Sequence, residues 1–276
     1  MSKARIDDRF AELKREGRAA FVPYVMAGDP DAATALAILK GLPAAGADLI
    51  EVGFPFSDPV AEGPPIQRAA QRALAKGMTL TGVLALVRAF REQDQTTPVI
   101  LMGYANPLIG WGYKAFARDA AEAGVDGLIV VDIPPEEAGP LADALDAAEL
   151  SLIRLATPTT DDHRLKTVVR RTSGFVYYVS VAGVTGVKEA DAAMVAPAVA
   201  RVRAASGLPV AVGFGIKTPE RAAAIAQVAD AVVVGSALVD EVAKAVEMNE
   251  DVTAAVLSKV ESLAKAVRFA RTGLTV

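Results

Sequence analysis

Cysteine is missing from this chain, and histidine occurs once, at position 163. The first absence excludes disulfides, thiolate nucleophiles and zinc–thiolate sites. The second excludes a histidine-rich metal site and makes a Ser–His–Asp triad a poor candidate, so no metal is expected. No lysine or arginine cluster and no basic helix is present, and the formal net charge is −4, which argues against a nucleic-acid surface. Apolar runs all fall well short of a membrane span. The opening MSKARIDDRF is charged and amphipathic, unlike a signal peptide. A cytoplasmic protein acting on neither membrane nor nucleic acid is the expectation.

What is present is enough apolar residue for a large core: 52% of 276 residues are hydrophobic and 22% charged, which excludes wholesale disorder. Ile6, Phe10 and Leu13 form one stripe of a predicted helix over 4–16 that ends at Gly17. A strand is predicted over 21–28, a helix from Asp31 to about Leu42, and a second strand near 47–53. Two helical segments follow, near 65–76 and 79–93. From there a β-rich run of about seven residues and an alanine-rich helix alternate. The strands are predicted over 98–104, 127–133, 151–157, 175–181, 209–214 and 231–236. Their helices lie near 113–123, 136–148, 161–171, 191–205, 219–227 and 239–247, and a last helix spans about 252–271. Thr218 before Pro219 reads as an N-cap with proline at N1. Gly46-Ala-Asp48 and Gly124-Val-Asp126 are matching returns from helix to strand.

Eight strands apolar at nearly every position, each followed by helix, predict a parallel sheet buried on both faces. The expected fold is an α/β (β/α)8 TIM barrel with an extra N-terminal helix and further extra helices, forming a single domain over 1–276. An open doubly wound sheet is the alternative, but no early G-x-G-x-x-G supports it. The connections after the second and sixth strands are long, and such length is usually functional.

The stretch ADLIEVGFPFSDPVAEGPPIQ (47–67) organises the rest. Leu49, Ile50 and Val52 form a buried strand that Glu51 interrupts with a carboxylate. Side chains alternate, so Leu49, Glu51 and Gly53 share one face. Burial among apolar neighbours raises the pKa of such a carboxylate and suits it to acid–base work near neutrality. The following loop carries a second acid, Glu62. Farther along, Ala182–Gly186, Gly213–Ile216 and Gly235-Ser236 bring glycine to the ends of the last three strands. There, backbone N–H groups and a helix N-terminus at Ser236 can cradle a phosphate. Asp132 reads as either a structural or a site residue, and His163 and Lys217 as solvated.

Seven segments carry a resemblance: PYVMAGDP (23–30), IEVGFPFSDPVAEGPPIQ (50–67), LMGYANP (101–107), VDIPPEE (131–137), GVTG (183–186), VGFGI (212–216) and VGSALV (234–239). Over essentially its whole length the chain resembles the α subunits of tryptophan synthase. The resemblance implies a carbon–carbon lyase of tryptophan biosynthesis that cleaves indole-3-glycerol phosphate to indole and glyceraldehyde 3-phosphate. Glu51 matches the general acid–base, and Glu62 the second catalytic carboxylate, which hydrogen-bonds the indole N–H. Tyr24, Met102, Ile129, Tyr177 and Phe214 match the indole pocket. Gly186, Gly215, Gly235 and Ser236 match the phosphate-binding backbone. Thr185 matches a threonine on a loop that closes on the second carboxylate, and the stretch Val181–Ala192 is expected to close on ligand. The resemblance further implies no cofactor in this chain, and an α2β2 assembly with a pyridoxal-phosphate β subunit that contacts the loop bearing Asp58 and receives indole.

One position departs from the pattern. Glu62 stands where the family usually carries aspartate, and the extra methylene of about 1.5 Å matters, because misplacement near 1 Å can cost about 10²-fold in rate. Either the loop around Val60 and Pro65 is readjusted so that Glu62 does the same work, or the chain is a slow or repurposed member. The competing functions are a free-standing lyase and a weakly active or non-catalytic α-like subunit that binds substrate and activates β. A barrel isomerase of histidine biosynthesis is weaker, since its paired aspartates are not evident.

Overall fold

The computed structural model describes residues 2–180, 192–213 and 215–272. Helix α1 (Ser2–Glu16) precedes the first strand, β1 (Ala20–Met26). Then follow α2 (Ala32–Gly41), β2 (Ile50–Gly53), α3 (Pro64–Ala75), α4 (Leu80–Arg91), β3 (Val99–Gly103), α5 (Ala105–Trp111), α6 (Tyr113–Ala123) and β4 (Gly127–Val130). The second half holds α7 (Gly139–Ala147), β5 (Ser151–Ala156), α8 (Asp162–Val169), β6 (Val176–Val179) and α9 (Ala192–Ser206). It continues with β7 (Val210–Gly213), α10 (Pro219–Ala226), β8 (Ala231–Val234), α11 (Ser236–Glu247) and α12 (Val252–Phe269). The strands pair in parallel and in sequence order, and β8 returns to β1, closing the barrel. Closure disposes of the open-sheet alternative. Every residue of β2, β3, β4, β6, β7 and β8 is buried, as a sheet covered on both faces requires.

Local chemistry sets the helix starts. Asp31, Thr79, Asp161, Thr218 and Asp251 each stand at an N-cap and accept a backbone N–H three residues on, so one donor that the first turn leaves unpaired is satisfied. Gly17 takes φ +71° directly after α1, the left-handed turn a helix end needs. Two departures from the sequence reading stand out. Helix α11 begins at Ser236, the residue read as its N-terminus, and so three residues before the span 239–247 predicted for it. Helix α5 was not expected at all; its Ala105 N–H donates to Asp132 Oδ1 at 2.8 Å, which makes Asp132 a support for that short helix.

The N-terminal end of the barrel is fastened by one device used three times. The Asp48 N–H donates to Phe21 O at 2.9 Å, and Asp48 Oδ2 accepts the Phe21 N–H at 2.9 Å. Asp126 does the same with Val99, at 2.9 and 2.7 Å, and Asp230 with Val210, at 3.0 and 2.8 Å. Each aspartate thereby ties the start of the preceding strand to its own. An arginine pairs with each: Arg18 through two bonds of 2.8 Å on Asp48, Arg91 at 2.7 Å on Asp126, and Arg203 at 2.9 Å on Asp230. Arg5 of α1 adds a bond of 2.7 Å to Asp126, which fixes the extra helix beneath the barrel. Among the described residues no single helix is long and apolar enough to cross a membrane; α3 and α4 meet that test only jointly and are bent by 93° at their junction.

Candidate active site

The C-terminal ends of the strands surround a cavity, and the strand register decides what points into it. Tyr24 on β1 lies beside Glu51 on β2, and Gly53 on β2 lies beside Met102 on β3. Partners across parallel strands face the same way, so Tyr24 and Glu51 enter the interior together, with Met102 one layer higher. Tyr24 needs the layer above it to be open. A Cβ on Gly53 would come within 2.0 Å of the Tyr24 hydroxyl. Tyr177 on β6 repeats the arrangement, since a Cβ on Gly213 of β7 would come within 2.0 Å of its hydroxyl. Two tyrosines are thus laid over glycines of the next strand, and both line the cavity that Glu51 enters.

Glu62 arrives from the loop between β2 and α3. Pro64 and Pro65 open α3, where a missing N–H costs nothing, so the loop ends sharply at Gly63. The Glu62 N–H donates to Pro59 O at 3.1 Å, Gln67 Nε2 donates to Glu62 O at 2.9 Å, and the Ala61 N–H donates to the Tyr104 hydroxyl at 3.0 Å. Tyr104 is itself stacked on Phe56, with ring centroids 5.3 Å apart. Arg72 of α3 holds Asp29, just past β1, through bonds of 2.7 and 2.8 Å. The second carboxylate therefore rides on a loop tied on both sides, and Glu51 and Glu62 line the same cavity.

Both acids are buried, Glu51 to 2% and Glu62 to 8% exposure. Burial, together with repulsion from Glu62, pushes the Glu51 carboxyl up to about 8; burial raises Glu62 to about 7. Near neutrality Glu51 keeps its proton while Glu62 titrates. Glu51 Oε2 has no hydrogen-bond partner among the described residues. Burial, Glu62 and Glu51 also hold the Tyr24 hydroxyl well above its ordinary value; Tyr177 is raised by burial and the same two acids. Both tyrosines stay protonated. The arrangement can deliver a proton, receive one, and set a negative charge against a developing positive one, in a wall otherwise made apolar by Ile66, Met102, Ile216 and Val233.

Gly215, Gly235, Ser236 and Lys217 line the cavity beside β8. Gly215 takes φ +73°, a conformation that favours glycine. Ser236 is the first residue of the 12-residue α11, so unpaired N–H groups and the positive end of the helix dipole meet the cavity there. Of the residues singled out from sequence, Tyr24, Glu51, Glu62, Met102, Tyr177, Gly215, Gly235 and Ser236 come together at one cavity. Ile129 does not reach its wall. It is fully buried in the same layer as Met102, between Met102 and Ile153, and neighbouring side chains cover it. Thr185, Gly186 and Phe214, and the expected closing segment apart from Ala192, lie outside the described residues. His163 is exposed in the first turn of α8.

Sequence reasoning missed Ile66, Ile216, Val233 and Lys217. Ile66 and Ile216 stand within segments already singled out, one helical turn or one residue from a named position. Lys217 was read as solvated. It is exposed, yet it lines the cavity, and a cation two residues past Gly215 was the available signal. Among the described residues, no group of three His, Cys, Asp or Glu side chains could hold a metal ion.

Comparison with known proteins follows this geometry closely. A sequence model of the family described as tryptophan synthase alpha chain matches residues 10–268. The tryptophan synthase alpha chain of Phenylobacterium zucineum (strain HLK1) is 85% identical over 271 residues, covering 98% of each chain. That of Caulobacter vibrioides (strain NA1000 / CB15N) is 73% identical over 273 residues, covering 99% of each. Among solved structures, the alpha subunit of tryptophan synthase from Legionella pneumophila str. Paris superposes with a TM-score of 0.89 at 42% identity, over 95% of this chain and 98% of that one. A Mycobacterium tuberculosis tryptophan synthase chain superposes with a TM-score of 0.86 at 37% identity, over 96% and 98%. With the family matched over nearly its full length, the chain belongs to the tryptophan synthase alpha chain family.

Proposed function

We propose that Glu51 and Glu62 carry out the lyase reaction of this family as an acid–base catalyst and a charge stabiliser. The enzyme cleaves indole-3-glycerol phosphate to indole and glyceraldehyde 3-phosphate, a step of tryptophan biosynthesis; it needs no cofactor of its own, and pyridoxal phosphate belongs to the β chain. In the proposed sequence, protonated Glu51 gives its proton to indole C3, and positive charge spreads to the ring nitrogen. The Glu62 carboxylate accepts the ring N–H and offsets that charge. Glu51, now anionic, takes the proton of the hydroxyl next to the scissile bond. The C–C bond breaks, its electrons return to the ring, an aldehyde forms, and Glu51 is again protonated.

The observation that carries this reading is the pair of buried acids in one cavity, both raised toward neutrality. Tyr24, Met102 and Tyr177 form the indole wall. Ile129 backs Met102, and Phe214 is assigned to that wall by resemblance. Gly215, Gly235 and Ser236 hold the phosphate through main-chain N–H groups; by resemblance alone, Gly186 is assigned to the same role and Thr185 to closure on Glu62. One contiguous core that includes the first and last helices supports a single domain over 1–276. A β chain is the partner. An α2β2 assembly in the cytoplasm, with no membrane or nucleic-acid role, is the finer reading.

The test is indole release from indole-3-glycerol phosphate, with and without β chain, by wild type, Glu51→Gln and Glu62→Asp. Glu51→Gln is expected to lose roughly 10²–10⁴-fold in turnover. Glu62→Asp is expected to cost up to about 10²-fold in turnover, because the loop is set for the longer side chain and the charge withdraws by about one methylene. Wild-type indole output by Glu51→Gln would end the proposal.

A further inference from the structure

Outside the barrel mouth, one cluster of charge has no role in the chemistry above. Helix α7 packs on α6 and helix α8 on α9, which leaves a groove of ≈ 320 Å³ between α7 and the end of α8, floored by the outer face of β5. Arg154, Arg170, Arg171 and Glu136 line it. Arg154 is the unusual member, because a guanidinium sits on a barrel strand at only 8% exposure. Its Nη1 donates to Ile133 O at 3.2 Å, and its Nε is buried with no partner among the described residues. A guanidinium has five N–H donors, and leaving buried ones unmet is costly.

Glu136 attracts Arg154 but makes no direct ion pair with it. Glu136 is paired with Arg164, and Arg171 with Asp143 and Asp146. Neither Arg154 nor Arg170 has an ion-pair partner among the described residues. Two guanidinium groups without a direct ion pair among the described residues thus face one groove, and such planar forks match the oxygens of a phosphate group. We propose that the groove between α7 and α8 is a second anion site, taking a small phosphate-bearing ligand on Arg154 and Arg170. It shares no lining residue with the cavity at the barrel mouth, so it stands apart from the reaction and does not rest on the reading above.

Equilibrium dialysis of labelled inorganic phosphate against the full chain, at ionic strength fixed with chloride, tests the site. Wild type is expected to show a class of sites that Arg154→Met and Arg170→Met each weaken by about tenfold or more, while the turnover of indole-3-glycerol phosphate is unchanged. Arg170 is exposed, so its substitution leaves the fold intact even if that of buried Arg154 does not. Glu136→Gln removes a repelling carboxylate and is expected to tighten the same class. Repeating the series with glycerol 3-phosphate tells free phosphate from a phosphorylated metabolite: the ligand whose binding both arginine substitutions weaken is the occupant. Phosphate and monoester binding that neither substitution alters would overturn the site.

Discussion

Two glutamates with raised pKa values make activity and stability respond to pH in different ways. Below about 7 Glu62 takes a proton and can no longer offset charge on the indole ring; above about 8 Glu51 has lost the proton it donates. The kcat/KM for indole release is therefore expected to be bell-shaped, with limbs near these values belonging to the pair. Glu62→Gln should remove the acidic limb along with most of the rate. For stability, each folded-state pKa lies above its unfolded value near 4.5. The folded chain then binds more protons between about 4.5 and 8, so these groups make stability fall as pH rises through that window and level off above it. Glu51→Gln should flatten the slope and raise the melting temperature at pH 9 relative to wild type, read by thermal unfolding across pH. A flat wild-type profile would mean that the two acids ionise freely in the fold. Lys217, exposed at the phosphate end, bears on binding alone. Lys217→Met is expected to raise KM by roughly tenfold with kcat little changed, since it removes a contact made equally in ground and transition states.

At the scale of elements, the barrel's N-terminal end depends on three aspartates whose carboxylates each take a strand N–H and an arginine. Asp126 is the most enclosed, with no exposed side-chain surface, and is bonded to Arg91, Arg5 and Val99. Asp126→Ala strands the buried Arg91 and is expected to cost about 3–5 kcal/mol in urea unfolding. Two of the three fastenings were legible as Gly46-Ala-Asp48 and Gly124-Val-Asp126, because glycine at positive φ marks the return from helix. Asp230 follows Val228 and Ala229 and carries no such mark. The strands were legible because covered parallel strands leave no polar alternation to confuse them. Helix α5 was not, since seven residues holding Pro107 and Gly110 read as loop. In the site, Glu51 and Glu62 could be picked out because a carboxylate interrupts an apolar run and another follows within one proline-rich loop. Val233 could not, because nothing in AVVVGS says which valine faces inward. Arg154 was hidden for the same reason: inward and outward faces of a barrel strand are both buried, and the sequence alone does not tell them apart.

Over the whole molecule the two ends of the barrel divide the work. The three aspartates that fasten strand starts, with their arginines, gather at the N-terminal ends of the strands, and the acids, tyrosines and glycines of the cavity at the C-terminal ends. The site's exposed edge is the loop that carries Glu62. Ser57, Asp58 and Val60 precede that residue in the loop, and Val60 is 84% exposed, a large apolar side chain facing outward from a segment otherwise tied down by Tyr104 and Gln67. A β chain docking against this loop would bury Val60 and press on the backbone that carries Glu62, and docking and charge stabilisation would then be coupled through three residues of chain. Burying a valine is worth about 1.5–3 kcal/mol. Val60→Asp is therefore expected to raise the β concentration needed for half-maximal stimulation of indole release by at least tenfold. Turnover by the isolated chain should stay within about twofold, because the exposed side chain touches no part of the cavity wall. Titrating β chain against both proteins at fixed substrate separates the two effects, and equal titration curves would move the docking surface away from this loop.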